Sequence, residues 1–117
     1  MRLKKKEISS ETLSQLIVQG MKEKKATDII ILDLKKTKNS IADFFVICSG
    51  NNENQLDAIT DSIKEIVYKS TEQNPWHIEG KEHKEWILLD YVDVVAHVLK
   101  KDRRQFYEHH TGSYPQR

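Results

Sequence analysis

EWILLDYVDVVAHVL, residues 85–99, is the densest apolar stretch of the chain, yet Asp90, Asp93 and His97 stand among its aliphatic residues. Fifteen residues is long for one strand, because strands usually run to about 5–6 residues. The stretch therefore reads as a hairpin, with strands 85–90 and 93–99 and a two-residue turn at Tyr91-Val92. That turn sets Asp90 opposite Asp93, Leu88 opposite Val95 and Trp86 opposite His97, all six on one face. Ile87, Leu89, Val94, Ala96 and Val98 share the other face and read as core. Two carboxylates facing each other repel unless a cation, a turn hydrogen bond or a partner relieves them.

The rest of the chain is polar and lysine-rich, so a core has to be built against this segment. With 117 residues, 38% apolar and 32% charged, the chain suits a single globular domain. A net charge of +1 gives no global pull towards nucleic acid or membrane. The lone cysteine, Cys48, cannot form an internal disulfide, lies in an apolar run and reads as core in a reducing compartment. The opening MRLKKKE has no apolar region behind it and is not a secretory signal. No stretch approaches the roughly 20 apolar residues of a membrane span. The expected location is the cytoplasm.

Residues 1–8 read as a flexible basic leader, 9–108 as one domain and 109–117 as a loose tail. Ser9 or Ser10 caps a first helix that runs to about Lys24, with Leu13, Leu16, Ile17 and Met21 on one face and Gly20 admitting close packing. DIIILDL, residues 28–34, is a continuous β-branched run, expected to be a strand covered on both faces. KKTKNS at 35–40 is too short for a helical crossover, so the next strand, IADFFVICSG at 41–50, should pair antiparallel with it. Asn52 is the candidate cap of a second helix, whose stripe Leu56, Ile59, Ile63, Ile66 and Val67 reaches to about Ser70. A short strand at Trp76–Ile78, a turn at 79–82, the hairpin and a last helix from Lys100 to about Glu108 complete the order. The fold class is α/β in the α+β sense: a compact mixed sheet flanked by helices, in the order α-β-β-α-β-β-β-α.

Catalytic chemistry finds little footing. Asp93 and His97 lie four residues apart on one strand, roughly 13 Å at about 3.3 Å per residue, too far for an acid/base pair. Asp90 and Asp93 could share a divalent cation, but a metal needs further ligands. His77, His83, His109 and His110 have no compact ligand spacing. SGNN at 49–52 lacks a phosphate-loop frame, and Glu53 beside it disfavours an anion. The expectation is no enzyme, no cofactor and no metal. KKTK at 35–38 and KKDRR at 100–104 are local basic patches without interleaved aromatics. They would touch phosphate only if a partner brings the chain close to RNA. A docking surface fits the hairpin better: an aromatic anchor with apolar neighbours and acidic groups that meet a basic partner.

Several pieces together resemble the ribosomal silencing factor family, also known as RsfS or Iojap. They are Asp28-Ile29, ADFFVICSGNN at 42–52, Glu79-Gly80, EWILLDYVDVVAHVL at 85–99 and RRQFYE at 103–108, spanning about residues 9–108. The resemblance implies a compact domain of nucleotidyltransferase-like topology that is not an enzyme. It implies a translational repressor, acting under starvation or in stationary phase. Its partner would be the large ribosomal subunit, held through that subunit's ribosomal protein fourteen so that the small subunit cannot join. Carried over by position, Trp86, Leu88, Leu89, Asp90, Tyr91, Asp93 and His97 form the contact set, with Trp86 and Tyr91 as anchors and Asp93 as polar partner. A homodimer and peripheral contact with ribosomal RNA accompany this reading. The family usually carries Gly where this chain has Val92, and a Leu-Trp pair where it has His109-His110. Two other functions stay open: a nucleotidyltransferase-like enzyme using Asp90, Asp93 and a divalent metal, and an assembly factor of the large subunit.

Overall fold

The computed structural model describes residues 8–104. Helix α1 spans Ser10–Glu23 and helix α2 Glu53–Thr71. Both begin where a short polar side chain can accept from a free backbone N–H. Ser9 Oγ accepts from the Thr12 N–H at 3.1 Å, and Asn52 Oδ1 from the Gln55 N–H at 2.8 Å. Five strands follow the apolar runs: β1 Thr27–Asp33, β2 Phe44–Gly50, β3 His77–Glu79, β4 Trp86–Asp90 and β5 Val94–Lys100. Residues 101–104 are helical, and the rest of the expected last helix, to Glu108, lies outside the described residues, as do residues 1–7 and the tail.

The strands form one mixed sheet in the order β1-β2-β5-β4-β3. β1 and β2 pair antiparallel, as the short polar connection requires. β2 and β5 run parallel, which the long excursion through α2, β3 and β4 makes possible. Helices α1 and α2 cover one face, where Ile17, Met21, Leu56, Ile59 and Ile63 meet Val46, Cys48, Ile87, Leu89 and Val98. Each such fully buried aliphatic side chain contributes about 1.5–3 kcal/mol. A second, smaller cluster of Phe45, Ile47, Val95 and Leu99 lies on the opposite face.

Two expectations are corrected. The run at 28–34 is not covered on both faces, because β1 is an edge strand with Ile30 and Ile31 exposed. Its register slips between Thr27 and Ile30, an irregularity typical of sheet edges. The hairpin turn is also displaced. Trp86 pairs with Leu99, Leu88 with His97 and Asp90 with Val95, so Asp90 and Asp93 do not face each other. The Tyr91 N–H donates to the Val94 carbonyl at 2.9 Å, which leaves Val92 and Asp93 as the turn. A shift of two residues keeps every side chain on its face, so the division of the hairpin into two faces stands.

Gly20 has a specific reason to lack a side chain. A Cβ there would sit 2.7 Å from the Ile63 Cα and 3.0 Å from its nitrogen, backbone atoms of α2 that cannot move aside. Ser62 reinforces the approach by donating its hydroxyl to the Gly20 carbonyl at 2.8 Å. Gly20→Ala should therefore lower the urea midpoint. Overpacking costs about 1–3 kcal/mol, more than the roughly 1 kcal/mol that Ala gains over Gly in a helix. An unchanged midpoint would mean that the helices can part there.

Candidate functional site

The site is the hairpin face turned away from α1 and α2, where Trp86 and Leu88 project from β4 beside His97 on β5. Trp86 and Leu88 are each half-buried. The Trp86 indole N–H donates to His97 Nδ1 at 3.1 Å, and the two rings stack with centroids 5.9 Å apart and planes at 29°. Phe45 on β2 closes the other side of the imidazole at 4.6 Å. Period-two alternation puts Phe45 and Ile47 on the same side of β2, which is the signal for this backing in the sequence.

His97 is fully buried. Since Nδ1 accepts, the neutral ring carries its proton on Nε2. Burial pulls its pKa down to about 4, against a smaller opposing attraction from Asp90. An imidazole kept neutral can hold the indole in one orientation. The Trp86 indole is thus held from behind by the imidazole.

The turn is held as tightly. Asp90 is 3% exposed, and its Oδ1 accepts from the Val92 N–H at 2.7 Å. The Asp93 N–H donates to the Tyr91 carbonyl at 3.0 Å, a three-residue turn centred on Val92. The Asp93 carbonyl in turn accepts from Asp43 N–H at 2.6 Å and Phe44 N–H at 3.3 Å, tying the turn to the start of β2. Val92 is driven to φ 77°, a conformation that costs a β-branched residue about 1–3 kcal/mol.

The residues singled out from the sequence divide by depth. Trp86, Leu88 and Asp93 reach the surface. Leu89 is fully buried under the helices, and Tyr91, 5% exposed, belongs to the same core. Asp90 and His97 lie beneath the surface as supports. Among the described residues the Tyr91 hydroxyl has no hydrogen-bond partner, and burial raises its pKa. Val92 stands 45% exposed at the tip.

The other chemical candidates disperse. No three His, Cys, Asp or Glu side chains converge among the described residues. At SGNN, the Asn51 N–H donates to Gln55 Oε1 at 2.6 Å and the Gln55 N–H to Asn52 Oδ1, so two of the donors around the start of α2 are already used by side chains. The basic run at 100–104 is not one solvated face, because Arg104 is buried and donates to Ser49 Oγ at 2.8 Å. Cys48 is buried, and its thiol pKa is pushed up to about 12. No helix among the described residues is long and apolar enough to cross a membrane.

His97 sets an acid limit on stability. Between pH 6.5 and about 4 the unfolded chain binds a proton on this imidazole that the folded chain excludes. Its contribution is complete above pH 6.5 and is lost as pH falls towards 4, on the order of 3 kcal/mol in all. Urea midpoints taken between pH 7 and 4 should show that slope in the parent and a flatter one in His97→Asn; equal slopes would exclude the imidazole as its source. Tyr91→Phe should leave the midpoint at pH 7 unchanged or raise it by up to about 1 kcal/mol equivalent, since it removes a hydroxyl without a buried partner. A large loss would reveal a hidden bond.

Residues 7–109 match the model of the family described as "Ribosomal silencing factor during starvation". The chain is 39% identical over 100 residues to the ribosomal silencing factor RsfS of Halalkalibacterium halodurans, covering 86% of this chain and 84% of that protein. A more distant relative, the mouse protein named "Mitochondrial assembly of ribosomal large subunit protein 1", is 26% identical over 80% of this chain and 41% of its own length. The fold is shared with a crystal structure of a Chromobacterium violaceum protein, at a TM-score of 0.81, 25% identity and coverage of 93% of this chain and 92% of that one. The hairpin with its fixed indole thus lies within a match that spans nearly the whole chain: the protein belongs to the ribosomal silencing factor family.

Proposed function

We propose that the chain binds the large ribosomal subunit through the Trp86 face and represses translation by keeping the small subunit from joining. The docking point is ribosomal protein fourteen of the large subunit, and the setting is starvation or stationary phase in the cytoplasm. The observation that carries this reading is the half-buried Trp86, whose indole is fixed by His97 at 3.1 Å. Interface anchors are typically large aromatics with little rotamer freedom left to lose. Leu88 extends the apolar contact, and exposed Asp93 offers a carboxylate to a basic ribosomal protein. Leu89, Asp90, Tyr91 and His97 serve this surface from beneath. The family name and the large subunit in the mouse relative's name support the choice of partner.

The mechanism is steric occlusion and needs neither cofactor nor metal. Lys36 and Lys38, exposed in the polar connection between β1 and β2, are the candidates for contact with ribosomal RNA once the protein is docked. The face could alternatively seat a second copy, and dissociation of a homodimer would then precede docking.

Trp86→Ala should fold and yet co-sediment with isolated large subunits at least about thirtyfold more weakly, as expected for loss of an anchor worth ~2 kcal/mol. The parent protein should also lower the yield of joined ribosomes from purified subunits. Unchanged co-sedimentation by the folded variant would remove this face as the docking site. Binding without any effect on joining would favour assembly of the large subunit over repression.

A further inference from the structure

We propose that Val92 is itself a contact residue of the docking surface, an apolar knob held outward at a cost to the fold. This rests on the hairpin face being the surface that meets the large subunit, and it adds a residue and a physical trade to that reading. Val92 combines three properties that are rarely found together. It is β-branched, it stands at φ 77°, and it is 45% exposed. The first two make its backbone unfavourable, since a branched Cβ crowds the neighbouring carbonyl in the left-handed region. The third means that the chain itself covers only part of the side chain.

The conformation is imposed by the surroundings. Asp90 Oδ1 holds the Val92 N–H at 2.7 Å, the Asp93 N–H closes onto the Tyr91 carbonyl at 3.0 Å, and the Tyr91 N–H is held by Val94 at 2.9 Å. The Asp93 carbonyl is anchored to β2 by Asp43 and Phe44. Glycine would adopt this backbone freely. A side chain that strains the chain and leaves 45% of its surface to solvent gains a role if its methyl groups are covered by a partner. Beside it, Asp93 is the acidic group of the proposed interface, so the occupant is the same basic protein of the large subunit. The tip would supply one apolar and one charged contact from adjacent residues.

Two substitutions test this together, with Trp86→Ala as reference. Val92→Gly relieves the backbone and removes the side chain. It should raise the thermal midpoint by several degrees while weakening co-sedimentation with large subunits at least about fivefold. Val92→Thr keeps the shape and the backbone penalty but puts a hydroxyl in place of one methyl. It should leave the midpoint near that of the parent and weaken binding as well. Wild-type affinity in either variant, with binding still lost in Trp86→Ala, would overturn the contact role of Val92 and leave the docking face intact. Wild-type affinity in all three would overturn the face itself.

Discussion

Strand β5 is buried along almost its whole length and lies between β2 and β4, hydrogen-bonded to both. Its Val94, Ala96 and Val98 fill the core under the helices, while Val95 and Leu99 fill the smaller cluster behind. His97 stands between those last two and faces the same way. A polar ring in the most buried strand has to be satisfied locally. The Trp86 indole does this for Nδ1, so the demand of the core for a hydrogen bond becomes the orientation of a side chain that reaches the surface. Interior and site are one arrangement, and neither can be changed alone.

The polar residues within the apolar hairpin follow the same logic. Asp90 has the composition of a catalytic or metal-binding group, but its carboxylate is used to hold the Val92 amide. Such a buried acceptor is strong where it meets a backbone donor and costly where it does not. It therefore fixes the geometry of the turn more firmly than an apolar residue could. Asp93, three residues on, lies outside that shell and is exposed to solvent. Two aspartates of one turn are thus placed differently, one holding the turn backbone and one exposed.

Much of this was legible in the residues. Ser9 and Asn52 announced the helix starts, the apolar stripes located α1 and α2, and the alternation in 85–99 separated core from surface. What escaped reading depends on tertiary context. The two-residue slip of the hairpin keeps every side chain on its face, so no pattern of polarity can detect it. The continuous apolar run at 28–34 looks like a central strand, yet its place at the sheet edge follows from the order of pairing, which the run itself does not encode. Tyr91 reads as a surface aromatic beside a turn, and only the closure of the helices over the hairpin takes it inside. Val92 stands where the family usually carries Gly, and only the folded turn shows it at φ 77° and at the exposed tip.

The parallel pairing of β2 with β5 also governs the order in which the chain can assemble. Phe44 lies beside Val94 and Gly50 beside Lys100, a constant separation of fifty residues. Non-local pairs of this kind form late, because chain closure is costly before the contact rewards it. During synthesis, β2 emerges and waits about 3–10 seconds for its partner at about 5–20 residues per second. The close approach of Gly20 to Ile63 matters in that interval. Helices α1 and α2 are complete by Thr71, well before β5, and can cover one face of β2 while its edge is still unpaired. The Gly20–Ile63 approach is thus among the long-range contacts whose residues are all synthesised before the sheet can close.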